Sequence, residues 1–152
     1  MHELKVNLKN GDLFLNKLPF QFKTEKFYLE SIKNIKDMED KPLLVNGYHK
    51  YGGYDICFAD RLFGPEFIYI NDVLHSKYFI FGEGECIKNG WGATEEDQRK
   101  DRKFLTSELT KFFKKKPEKK LKYRDIFIYE WGEITVSMTH RDFYIILNFN
   151  YY

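Results

Sequence analysis

Two short polar runs in this sequence carry the residue types of acid–base or anion chemistry. Asp60-Arg61 and His140-Arg141-Asp142 each sit between apolar, alternating segments. Two carboxylates, two guanidinia and an imidazole would suit proton transfer or anion capture, if two hairpins brought them to one end of a sheet. Turn chemistry uses the same residues, because Asp bonds its own backbone and Arg can donate to loop carbonyls. A third run is basic. Lys111, Lys114, Lys115, Lys116, Lys119, Lys120, Lys122 and Arg124 are interrupted by Glu118 as their one acid. With Tyr123 beside them they could contact phosphates; a solvated helix end and linker is the plainer account.

Other chemistry finds little support. His2, His49, His75 and His140 have no partner at metal-ligand spacing, and neither Cys57 nor Cys86 has a neighbouring cysteine, so no metal site is expected. Cys57 with His49 or His140 is formally a nucleophile pair, but Cys57 falls in mid-strand, where a packed thiol is inert. Ser31, Ser76, Ser107 and Ser137 lie in no Gly-x-Ser-x-Gly context. The acids of Gly82-Glu83-Gly84-Glu85 would repel a phosphate. No catalytic residue and no cofactor are therefore expected.

The element that must organise these runs is a helix over Thr94 to Lys116. Thr94 is an N-cap facing the amide of Asp97, and Glu95, Glu96 and Asp97 put negative charge on the first turn. Phe104, Leu105, Leu109 and Phe112 form an apolar stripe, with Glu95, Gln98, Arg102 and Lys103 largely opposite. Lys114, Lys115 and Lys116 follow, and Pro117 ends the helix. Trp91-Gly92 and Trp131-Gly132 bracket it, which predicts turns pinned by both indoles into a common core; a binding role for the indoles is the alternative.

Around that helix the pattern is mainly of strands. Residues 3–16 read as a hairpin turning at Asn10-Gly11. Phe27, Tyr28, Ile32 and Ile35 mark a short helix over 24–35. Strands follow at 43–49, 54–59, 67–70 and 78–81, with turns at Tyr51-Gly52-Gly53, Asp60-Arg61 and Asn71-Asp72. Gly64-Pro65 predicts a bulge or an edge. Strands at 125–130, 133–139 and 143–149 close the chain, with period-2 alternation in Ile134, Val136, Met138 and in Phe143, Ile145, Leu147, Phe149. The expected class is α+β, an antiparallel sheet with two packed helices, readable as two degenerate helix-then-meander units.

At 152 residues the chain is expected to form a single domain, 1–152. A net charge of +2 does not suit a general nucleic-acid binder. Two isolated cysteines, no apolar secretory core in MHELKVNLKNG and no apolar run of spanning length predict a cytoplasmic protein away from membranes.

Leu18-Pro19-Phe20 before a short helix, Trp91-Gly92 opening a helix that contains Phe104-Leu105, and Trp131 to Ile134 before an Arg-containing turn and the closing Ile145 to Tyr151 form one set. This set resembles small bacterial immunity proteins of polymorphic or contact-dependent toxin systems. The resemblance implies an α+β protein that binds and occludes one cognate toxin without catalytic residues. Immunity proteins directed at nucleases are often strongly acidic, which this chain is not. The leading expectation is a non-catalytic inhibitor of one protein partner, with Asp60, Arg61, His140, Arg141, Asp142, Lys114, Lys115 and Lys116 as candidate contacts. The alternatives are a small enzyme built on the hairpin-turn cluster, or a phage or mobile-element accessory protein that touches nucleic acid through 111–124.

Overall fold

A computed structural model describes residues 2–19, 33, 39–42, 47–53 and 55–152. The strands are β1 (His2–Val6), β2 (Leu13–Leu15), β3 (Leu18–Pro19), β4 (Glu39–Pro42), β5 (Tyr48–Gly52), β6 (Ile56–Phe58), β7 (Arg61–Ile70), β8 (Val73–Phe81), β9 (Lys119–Lys120), β10 (Arg124–Tyr129), β11 (Gly132–Met138) and β12 (Ile145–Tyr151). Two helices, α1 (Glu85–Asn89) and α2 (Glu95–Phe113), lie between β8 and β9. The class is α+β. The sheet runs β3-β2-β1-β6-β7-β8-β12-β11-β10-β9, with β5 also on β7 and β4 on β5.

The expectation of a purely antiparallel sheet needs correction, since β1 pairs parallel with β6 through His2↔Ile56 and Glu3↔Cys57. Both hairpins around β7 use two left-handed residues, Ala59-Asp60 and Asn71-Asp72. Such turns match the twist of the strands they join. Arg61 is thus the first residue of β7 and not part of the turn. Nor does β7 stop at Gly64-Pro65. Its lower half pairs with β6 through Arg61–Phe63 and its upper half with β5 through Phe67–Ile70, leaving 64–66 outside both ladders. Pro65 therefore sits where its missing N–H costs no bond on that edge. The irregularity falls instead at Ile68/Tyr69.

Tyr51 and Gly52, expected in a turn, belong to β5, and the Tyr51 ring is buried edge-on to Tyr69. The N-terminal hairpin forms with Leu4↔Leu15 and Val6↔Leu13, but residues 7–12 make a wider loop than a two-residue Asn10-Gly11 turn. The helix expected over 24–35 lies, save for Lys33, outside the described residues, as does the 43–46 half of the strand expected at 43–49. The short α1 has no counterpart in the sequence reading. Its five residues follow Gly84 and are too few to show a period.

Helix α2 packs on β11 and β12. Its buried apolar line is Leu105, Leu109 and Phe113, one position round from the stripe expected. Phe104 and Phe112 are 42% and 49% exposed and flank that line. Each buried leucine contributes about 1.5–3 kcal/mol. Beneath the helix is a cluster of edge-to-face rings, with Phe113 5.0 Å from Phe127 and Phe58 5.6 Å from Phe149. Much of the aromatic excess in the sequence is spent there.

Candidate binding surfaces

The inward side of α2 carries polar residues as well as leucines. Gln98, Asp101 and Thr106 are buried, and Arg102 is nearly so. All four work as fasteners. Gln98 donates to the carbonyls of Thr139 and Tyr144 at 2.6 and 3.0 Å. Asp101 accepts the amides of Glu85 and Cys86, both at 2.8 Å, and so caps α1. A side chain at Gly84 would collide with this carboxylate, which fixes glycine at that left-handed position. Arg102 forms a two-point pair with Asp125 at 2.9 and 3.1 Å and donates to the carbonyls of Leu121 and Lys122. Thr106 completes the group with a 2.7 Å bond to Asp125. Gln98 and Arg102 were expected on the outer side. Charge and amide counted as polar in the pattern, although both are buried and satisfied.

The five residues of the hairpin-turn cluster do not converge. Arg61 turns to the helix-covered face, where its guanidinium lies 5.0 Å over the Phe104 ring and within 3.7 Å of Glu108 and 3.5 Å of Glu83. Asp60 lies at the turn itself, lining a separate depression with Phe112. His140, Arg141 and Asp142 line another depression, of about 610 Å³, with Lys50, Glu66 and Tyr78. That loop is tied by mutual bonds between Thr139 and Tyr144, and the His140 ring stands edge-on to Tyr123 at 4.2 Å. Burial and the nearby Glu66 push the Tyr78 hydroxyl up to about 12. Among the described residues no group of three or more His, Cys, Asp or Glu could hold a metal ion.

The basic stretch is not a loose linker. Lys115 pairs with Glu118 at 2.6 Å, donates to the Ile128 carbonyl and lies 3.8 Å from the centre of the Tyr129 ring. Glu118 in turn accepts a bond from the Ile128 amide at 2.7 Å. Although burial acts the other way, these partners hold the Glu118 carboxyl below its ordinary range. Lys115 is thereby committed internally, and Lys114 caps α2 in a left-handed conformation. Lys116 is different: with Lys120 it faces Arg99, Lys103 and Lys111 of α2 across a groove of about 650 Å³.

The two tryptophans have opposite fates. Trp131 fastens the N-terminal hairpin to the end of the sheet. Its indole N–H donates to the Leu8 carbonyl at 2.9 Å, its ring stacks on Tyr129 at 5.4 Å, and it presses on Gly11. Trp91 was expected to be pinned in the same way. Instead its side chain is fully exposed, at the apex of a 3-10 turn over Gly90–Gly92. That turn is held from both sides. Ala93 N–H closes onto the Gly90 carbonyl, and Gly90 caps α1. Thr94 and Asp97 exchange bonds as a capping box, and Asn89 donates to Asp97 at 3.1 Å. Bonds from the Thr94 amide and from Asn89 lower the Asp97 carboxyl below its usual range. No signal in the sequence separates Trp91 from Trp131, since both precede glycine.

Comparison with known protein families, with curated proteins and with solved structures gave no match. No helix among the described residues is long and apolar enough to cross a membrane.

Proposed function

We propose that this protein is a non-catalytic binder that neutralises one protein partner by stoichiometric occlusion, in the manner of a toxin-immunity protein. The observation that supports this most is Trp91. An indole is a large apolar surface, and covering one that stands wholly in water releases more free energy than covering a polar side chain. Tryptophan is among the residues that dominate interface energies, and its two side-chain torsions cost little to fix. The capped turn beneath it holds the backbone at Trp91 in place before binding, so only the side-chain torsions remain to be ordered on association. Ile87, 44% exposed on the preceding α1, is a further exposed apolar side chain of this segment. Two free thiols, Cys57 and Cys86, suit action in the reducing cytoplasm.

The test is co-expression with the toxic protein encoded beside this chain, followed by titration calorimetry. Rescue of growth and a one-to-one complex in the nanomolar range are expected. Trp91→Ser should weaken the complex by at least about 30-fold, the loss of a hot spot worth about 2 kcal/mol, with an unchanged melting temperature. An undiminished affinity in that variant would remove Trp91 from the interface. Absence of both rescue and heat would end the reading.

A further inference from the structure

We infer that the groove between α2 and the 116–120 segment seats an extended, carboxylate-rich segment of a partner protein. Its rim carries Arg99, Lys103, Lys111, Lys116 and Lys120. In its floor Asp125 is fully engaged by Arg102 and Thr106, leaving no free negative charge to answer those five cations. Arg99 pairs with the exposed Glu95 on its own helix, and the exposed Lys111 lies 3.8 Å from Glu108, which Arg61 also approaches; pairs with an exposed member contribute little and exchange readily. Among the described residues, none lies within ion-pair distance of Lys103, Lys116 or Lys120. The whole chain is nearly neutral, at +2, so this concentration is local.

Spacing selects the kind of anion. Arg99, Lys103 and Lys111 line the groove along α2 at separations of four and eight residues, a rise of about 6 and 12 Å. In an extended peptide, alternate side chains on one face recur about every 6.6 Å. Acids at alternate positions would therefore meet these cations nearly in register. Moreover, β9 ends the sheet, and its Lys120 lines the groove; an extended segment arriving there meets a strand edge of the kind that peptides add to. Nucleic acid fits less well. Single strands are held by stacking bases on aromatic rings, and no aromatic side chain lines this groove. A duplex is read by elements that protrude into its grooves, whereas these cations line a recess. The inference rests on the reading of the chain as a protein binder but does not use Trp91.

The decisive experiment is fluorescence anisotropy with a labelled peptide of alternating Glu and Ser, about 12 residues long. The intact protein should bind it with micromolar affinity, weakening as salt is raised. Lys103→Glu with Lys116→Glu and Lys120→Glu should reduce binding at least tenfold with the circular dichroism spectrum unchanged. A charge-matched control, Lys5→Glu with Lys17→Glu and Lys88→Glu, should retain it. No binding up to ~1 mM, equal loss in the control, or competition at equal concentration by inorganic phosphate or a short DNA duplex would each overturn the inference. The Trp91→Ser variant separates the two proposals. Peptide binding retained in it while the toxin complex weakens would support both, whereas peptide binding retained with an undiminished toxin complex would leave the groove standing and overturn only the role of Trp91.

Discussion

At the scale of the residue, Lys77 is a cation held largely out of water. It lies on the covered side of β8, 5.2 Å from the centre of the Tyr151 ring, and burial lowers its ammonium to about 8 from an ordinary 10.5. Between those two values the unfolded chain binds more protons than the folded one, so stability should rise with pH across that window. Above about pH 10 the trend should reverse. Tyr78, Tyr129 and Tyr151, all raised chiefly by burial, then ionise in the unfolded chain before the folded one. Lys77→Met removes the cost and should stabilise the protein at pH 7 by about 1–3 kcal/mol. Urea unfolding at pH 7 and pH 9 measures it; an unchanged midpoint at pH 7 would show that Lys77 is well accommodated as a cation. Cys86 belongs at the same scale: burial and its bond to Asp101 push the thiol up to about 12, so it should resist alkylation until the protein unfolds.

At the scale of the element, α2 is a helix fastened by polar bonds on its buried side. Its apolar line supplies adhesion to the sheet, while Gln98, Asp101 and Arg102 fix it against three separate stretches of chain. Arg102→Ala leaves Asp125 buried without its partner and strips two carbonyls of a donor. A loss of about 3–5 kcal/mol is expected, read as a lower urea midpoint with unchanged slope. Thr94→Ala should cost only about 1 kcal/mol, because one cap bond of the box is lost at an exposed end. If the two variants cost the same, the buried network does not fasten the helix as argued.

At the scale of the whole molecule, sequence-distant pieces meet through Trp131. Leu8 and Gly11 of the N-terminal hairpin bond to Trp131 and Tyr151, more than 120 positions away. The hairpin also joins the sheet through the short parallel contact with β6. Trp131→Ala should therefore loosen residues 2–15 before the rest of the fold. Hydrogen exchange is expected to quicken in β1 and β2 while β10 to β12 keep their protection. Uniform loss across the sheet would show instead that the hairpin and the meander unfold together.

Local physics was legible in the sequence wherever a rule acts on neighbours. Thr94 with Asp97, the paired turn residues Asn71-Asp72, and the alternation of Ile134, Val136 and Met138 each determined an element without reference to anything distant. The α+β class follows from those elements. Tertiary structure decided what depends on a partner far along the chain. Pro65 lies within a strand because two other strands divide its edge between them. Arg102 is inside because Asp125 is there to receive it. Arg61 and His140 are on separate faces because the side a residue takes depends on strand parity and loop closure, which the residue types do not encode. Five cations share one groove because the chain doubles back after Pro117. Trp91 and Trp131 have the same following residue and opposite exposure, because burial belongs to the surroundings and not to the residue.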